Sequence, residues 1–250
     1  MFILFALVFM RMTGAIVMNP VLGRSNIPNR AKGAMILVLS FLMYAGTDGV
    51  LTHEPVGMLE FAVMLIKELM VGFAIGFSME LSFAVVRFSA AVLDYIMGLS
   101  MAQVYDPQYQ TQMTITSGMY YTFLVLLLLA GGGHVRLLAL IYSSARMVPF
   151  GQVMIRPELS QLMVEIFKTS ITTGLQLAFP IIAMELVTEA AVGILMRIIP
   201  QINVFAVNFQ LKIIVGLMML VYMFNPMASK LYTIIDNLFL YIEEALLLMV

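Results

Sequence analysis

The sequence predicts an all-α, polytopic membrane protein built of long, kinked helical hairpins, and three observations predict it. Hydrophobic residues make up 62% of the 250 and charged residues only 11%, against about 25% charged in soluble domains. The mean hydropathy is +1.01. Several apolar stretches also run well past the ~20 residues that span a bilayer, and they are interrupted by single prolines or charges instead of long loops.

The first helix is expected over Met1 to Met18, interrupted by Arg11 and ended by the turn at Asn19-Pro20. Its opening, MFILFALVFM, has no basic region before the apolar run and no small-residue cleavage site after it, so it reads as a retained helix. The connector VLGRSNIPNRAK carries Arg24, Arg30 and Lys32 around Pro28, which assigns it to the cytoplasmic side. A second helix is expected from about Gly33 to Ala45, followed by the acidic, turn-rich connector GTDGVLTHEP on the other side.

From Val56 to about Met101 there is no proline. A straight helix of that length would reach about 65 to 70 Å at 1.5 Å per residue, whereas the hydrocarbon core is about 30 Å thick. Either the chain reverses near Glu80 to Arg87, or a long bent helix projects beyond the bilayer. The same excess recurs over Leu159 to Ile199, with Pro180 as a kink site, and over Val204 to Val250, broken at Asn225-Pro226. These three overlong segments suggest helical hairpins. Between them lie Met119 to Ala130, the glycines at 131 to 133, and a segment to Met147 too short to span, capped by Val148-Pro149-Phe150-Gly151.

One polar interruption stands out, GLSMAQVYDPQYQTQMTITSG from Gly98 to Gly118. It holds Gln103, Tyr105, Asp106, Pro107, Gln108, Gln110, Thr111, Gln112, Thr114 and Thr116. Asp106-Pro107 marks a turn, because the proline ring disfavours the helical conformation for the residue before it. Unpaired polar groups cost several kcal/mol against lipid, so the segment must face water, protein or a pore. An ordinary solvated loop satisfies that requirement equally well. Methionines flank it at Met97, Met101, Met113 and Met119, among 24 in the chain. Their flexible thioethers either fill core gaps or seal around a changing shape, and near this segment the second reading is preferred.

Charges inside the apolar runs form the other signal, since each costs about 2.5 to 3.5 kcal/mol at a lipid-facing helix centre. Glu80, Arg87 and Asp94 recur every seven residues and share one helix face. That spacing is about 10 Å along the axis, so their partners must come from neighbouring segments or subunits. Glu60 and Lys67 share another face. Glu185 and Glu189 are four apart and repel unless a base such as Arg197 or Arg87 approaches, or one takes a proton. A proton or ion path in a secondary transporter would use Glu185, Glu189 and Arg197. The scatter of charges over many faces favours pairing within an assembly instead. Gly72 and Gly76 make a GxxxG step, with Gly193, Gly216 and Ala228 as further points of close approach.

Several classes are excluded. A net charge of −1 leaves no basic footprint, so nucleic-acid binding is excluded. The chain has no cysteine, and His53 and His134 lack companions at metal-ligand spacing, so no metal or other cofactor is expected. Ser78 and Ser100 lack the second glycine of a nucleophile elbow, and no HExxH or phosphate loop occurs, so the chain is not expected to be an enzyme.

An ordered set of motifs identifies a family. These are RMTG at 11 to 14, PVLG at 20 to 23 and IP at 27 to 28; KELMVGFAIG at 67 to 76; GLSMA at 98 to 102 with DP at 106 to 107; SS at 143 to 144 with VPFG at 148 to 151; and RIIPQINVF at 197 to 205, then LKIIVGL at 211 to 217. In this order, over nearly the whole chain, they resemble the FliR family of export-gate membrane proteins, related to the SctT proteins of virulence injectisomes. The PQINVF block looks more like the flagellar branch, while Asn208 stands where a glycine is expected.

The resemblance implies a subunit of the flagellar type III export gate in the bacterial inner membrane, at the flagellar basal body. That subunit forms a helical ring with FliP-like and FliQ-like proteins, contacts an FlhB-like protein and passes unfolded substrates. It implies one membrane domain over 1–250, with roughly 1–150 FliP-like and roughly 151–250 FliQ-like. It also implies that the segment from Gln103 to Ser117 plugs the pore beneath a methionine-rich constriction. An injectisome gate subunit is the alternative within the family, and an ion-coupled secondary transporter the alternative outside it. Glu80, Arg87, Asp94, Glu185, Glu189 and Arg197 are then assembly charges.

Overall fold

The computed structural model describes residues 2–24, 27–47, 53–101, 104–106, 111–199 and 204–250, with backbone alone at 101, 104–106, 111–113 and 204–206. The described chain is helical apart from one small hairpin. The helices are α1 (Phe2–Val17), α2 (Asn29–Gly46), α3 (Met58–Ile96), α4 (Ile115–Ala130), α5 (Gly133–Met147), α6 (Pro157–Ile198), α7 (Val204–Tyr222) and α8 (Phe224–Leu247). Between α3 and α4 the strands β1 (Val104–Asp106) and β2 (Thr111–Met113) pair antiparallel.

Of the two courses open to the Val56 to Met101 stretch, the chain takes the long helix and does not reverse near Glu80 to Arg87. The chain runs through it as a helix of 39 residues, about 58 Å long at 1.5 Å per residue. Nothing in that sequence can stop a helix before Gly98, whose φ of +77° is the left-handed conformation that ends helices. The helix α6 is likewise continuous over 42 residues, with Pro180 inside it. Hairpin folding of these two segments is therefore corrected to single long helices. By length and composition α3 and α6 can each cross a membrane, and up to four spans exist if two bent pairs count as one span each. The pair α4 and α5 bends by 69° at the glycines, and α7 and α8 bend by 62°. This second break falls at Met223, ahead of Asn225-Pro226. Pro226 then sits in the first turn of α8, where its missing N–H would have had no helical acceptor.

Two compact units divide the chain. The first comprises Met1–Phe83, Leu127–Lys168 and Ile235–Val250, and the second Ala84–Leu126 and Thr169–Ile234. They cut across the 1–150 and 151–250 parts, a division that concerns resemblance and not packing. In the first unit α1 and α3 cross with backbones in contact. A Cβ on Gly14 would lie 2.5 Å from the Leu69 carbonyl oxygen, and one on Gly72 would collide with the Arg11 carbonyl. The GxxxG step at Gly72 is thus a contact within the chain. Leu7, Val8, Ile16, Val71, Ile75 and Phe83 fill the core of this unit, each 0 to 1% exposed. In the second unit Val86, Ala90, Leu93, Leu124, Ile181 and Leu231 are buried.

Candidate functional site

The polar interruption is held at both ends within the second unit. At its start α3 closes on Met97, which is fully buried, and Gly98 turns the chain out of the helix. A short 3-10 turn, Leu99–Met101, leads into the hairpin. There Val104 pairs with Met113, Tyr105 with Gln112 and Asp106 with Thr111. Gln103, Pro107, Gln108 and Gln110 lie outside the described residues, so the turn at Asp106-Pro107 is not described.

At its end the segment enters α4 at Ile115, four residues earlier than the apolar pattern at Met119 indicates. Asp94 explains the early start. Its carboxylate, fully buried, accepts the Thr116 backbone N–H at 2.8 Å on one oxygen and the Thr116 hydroxyl on the other. A helix begins with backbone N–H groups that have no acceptor, and a negative charge there is favoured by the helix dipole. One turn of polar sequence therefore becomes helical because α3 supplies its cap. The Ser117 hydroxyl adds a bond to the Arg87 carbonyl at 3.0 Å, and the Arg87 guanidinium lies 5.5 Å from the Tyr121 ring centroid. Tyr120, buried one turn on, donates its hydroxyl to the Met227 sulfur.

The charges expected to share an assembly role stand in different settings. Asp94 finds its partners in a neighbouring segment of its own chain. Glu80 and Arg87 are half-buried on α3. Glu189 is exposed and meets Lys212 at 3.3 Å, so the base that approaches this carboxylate pair is Lys212, not Arg197 or Arg87. Arg197 is exposed on the last turn of α6, and no ion pair for it occurs among the described residues. Glu185 is buried, with no hydrogen-bond partner on either oxygen. Met97 packs against Gly216 inside the chain, which leaves Met101 and Met113 as the candidate seals. Gly193, by contrast, faces open space.

Sequence reasoning missed the most completely bonded polar cluster, in the first unit. Arg11 is fully buried; its Nε donates to Glu68 Oε2 at 2.7 Å, Nη1 to the Ser144 carbonyl at 2.9 Å and Nη2 to the Val148 carbonyl at 2.9 Å. The guanidinium also stacks 4.2 Å from the Phe150 ring centroid. The other Glu68 oxygen accepts the Gly151 N–H at 3.0 Å. Four separate motifs, RMTG, KELMVG, SS and VPFG, meet at this one ion pair. A signal was present, because two opposite charges stood in apolar helices with donor-rich motifs elsewhere, but their separation by 57 residues hid the pairing. No group of acidic, histidine or cysteine side chains able to hold a metal occurs among the described residues. The arrangement offers structural capping and charge burial.

Comparison with known proteins agrees with these motifs. The sequence profile of the family described as "Bacterial export proteins, family 1" matches residues 2–238. The chain is 26% identical over 232 residues to the flagellar biosynthetic protein FliR of Escherichia coli, covering 92% of this chain and 88% of that one. It is 27% identical over 238 residues to the protein of the same name from Bacillus subtilis, covering 94% and 90%. With the FliR protein of Aquifex aeolicus it shares 30% identity over 203 residues, covering 80% and 77%. With the family profile matched along nearly the whole chain and relatives of one name covering most of it, the chain belongs to the FliR family of bacterial export proteins.

Proposed function

We propose that this chain, a subunit of the flagellar type III protein export gate, closes the gate's passage with the segment from Gln103 to Ser117. The observation that carries the reading is the way this polar segment is tethered. Both ends are fastened to buried helix ends, by Gly98 at the exit of α3 and by Asp94 at the entry to α4. Its middle is a two-stranded hairpin with Gln112, Asp106 and Thr111 in its ladder. A segment fastened at both ends suits a plug better than a slack connector. Met101 and Met113 act as compliant seals on either side.

The chain sits as a multi-pass protein in the bacterial inner membrane within the flagellar basal body. FliP-like and FliQ-like subunits complete the ring, an FlhB-like protein contacts it, and unfolded substrates pass through it. Residues 1–150 play the FliP-like part and 151–250 the FliQ-like part. Glu80, Arg87, Glu189 and Arg197 help hold sister subunits in register, and the chain has no catalytic role. The flagellar branch is favoured over the injectisome because the relatives that match along most of the chain carry flagellar names.

Deleting Gln108 to Thr114 tests the plug. The complete gate, reconstituted in planar bilayers, is expected to leak ions with its subunit composition unchanged. Background conductance in an intact complex would overturn the reading.

A further inference from the structure

In the second unit α6 buries only a narrow stripe. Leu177, Ala178, Ile181, Glu185 and Val192 are 8, 0, 0, 1 and 4% exposed, while Met184 and Leu186 beside Glu185 are 41 and 60% exposed. Steps of three, four and seven place these buried residues on one helix face. A carboxyl group therefore occupies a position where the stripe calls for an apolar side chain. Neither of its oxygens has a hydrogen-bond partner.

The site has a definite floor. A Cβ built on Gly216 of α7 would lie 3.1 Å from Glu185 Oε1 and 2.5 Å from Met97 Cγ, and would collide with the Met97 sulfur. The carboxyl and the Met97 side chain, just past α3, thus both border the bare α7 backbone at Gly216, a place that only glycine leaves open. The charged groups bearing on Glu185 are Lys212 from α7 and Glu189 from its own helix. Just past α3, the neutral thioether of Met97 borders the same glycine. Lys212 is turned to Glu189 at 3.3 Å, so no cation bonds Glu185. An ionised carboxylate without donors in such a place costs several kcal/mol, whereas the neutral acid costs far less.

We propose that Glu185 is a proton-binding site that is occupied in the closed gate, and that loss of its proton loosens the seat of Met97 at the base of the plug. The coupling to the plug rests on the function proposed above; the proton site does not. When the carboxyl O–H bond breaks, the proton passes to water and a buried carboxylate remains. That carboxylate must recruit Lys212 from Glu189 or admit water, and either change falls at Gly216, the glycine that Met97 packs against. Gly98 follows Met97 directly, with its φ of +77°, so a shift at this seat reaches the start of the plug segment.

The test uses the complete purified gate complex. Infrared difference spectra recorded during a pH titration should show a neutral-acid carbonyl band that persists at neutral pH, disappears on alkalinisation and is absent from Glu185→Gln. A band unchanged in that variant, or no such band in the parent complex, overturns the proton site. In planar bilayers the parent conductance should rise as the band is lost. Glu185→Gln and Glu185→Leu should assemble normally and stay closed over the same range. Normal pH dependence in those variants overturns the coupling, and so does failure of Glu185→Leu to assemble. The plug deletion separates the two readings: a deletion that does not leak removes the plug while leaving the infrared result to judge the proton site.

Discussion

Two buried carboxylates differ in what surrounds them, and the difference separates frame from moving part. Glu68, in the first unit, receives Arg11 on one oxygen and the Gly151 N–H on the other, and Arg11 spends its remaining donors on two carbonyls. Both carboxylate oxygens and all three guanidinium nitrogens there are bonded. Glu185, in the second unit, is likewise shut off from solvent and receives nothing. Asp94 stands between them, taking two bonds from a single residue across the plug segment. A fully bonded ion pair has one low-energy arrangement and resists change, because loss of any member strands a charge. A carboxyl without partners has two comparable states, separated by one proton. In this chain the segment proposed to move begins beside the second kind of site and ends on Asp94, the intermediate one.

The comparison breaks most sharply at Arg11. Arg11→Ala leaves Glu68 buried with only a backbone donor, a loss of about 3–5 kcal/mol for a broken buried pair. We expect the variant to be missing from purified complexes, or to melt far below the parent in thermal unfolding of the assembled gate. The double variant Arg11→Met with Glu68→Leu buries no charge and should recover much of that loss. Normal assembly and melting of Arg11→Ala would show that the cluster is not the frame of the first unit.

Asp94 gives an intermediate effect of a different kind. Asp94→Ala removes the cap of α4, worth about 1–2 kcal/mol on the scale of helix capping groups. Assembly should survive while the plug loses one of its two fastenings, so conductance of the intact complex should exceed the parent's and fall short of that of the Gln108 to Thr114 deletion. Dissociation of the complex by Asp94→Ala would instead assign this carboxylate to contacts between subunits.

What the sequence revealed follows from how local each signal is. Hydropathy and helix period located the apolar helical stretches among the described residues, though not whether the longest were single helices, because greasy helices advertise themselves along the chain. The start of α4 was misplaced by four residues since its cap comes from Asp94, 22 residues away from Thr116 in sequence. The continuity of α3 could not be decided from length alone: a chain too long for one bilayer crossing can either fold back or overshoot, and only the lack of any stop before Gly98 favoured overshoot. The polar segment and the buried acids were visible as anomalies in an apolar background. The Arg11 cluster was not, because its members reach one another across four helical and turn motifs that share no local pattern. The base facing Glu189 was misjudged for the same reason. Arg197 is near in sequence, but Lys212 is near in space.

The smallest expected effect lies on the exposed face of the first unit, where it calibrates the largest. Arg136 meets Asp236 at 3.7 Å with the side chains 48 and 74% exposed. Such a pair contributes about 0–1 kcal/mol, since water and salt screen both charges. Asp236→Ala should therefore leave thermal unfolding of the gate almost unmoved. Arg136 has a second contact, its guanidinium lying 4.4 Å from the centroid of Phe239, a ring that is 1% exposed. The charge over that ring adds about 0.5–1 kcal/mol at an exposed site, and the aliphatic stem covers apolar surface besides. Arg136→Ala should cost more than Asp236→Ala, and the excess should persist at high salt while the ion-pair share vanishes. A double-mutant cycle between Arg136 and Asp236, compared with one between Arg11 and Glu68, then measures on one scale how much burial adds to an ion pair in this chain. Equal coupling energies in the two cycles would sink the division into frame and moving part, because that division depends on the buried pair being the stronger one.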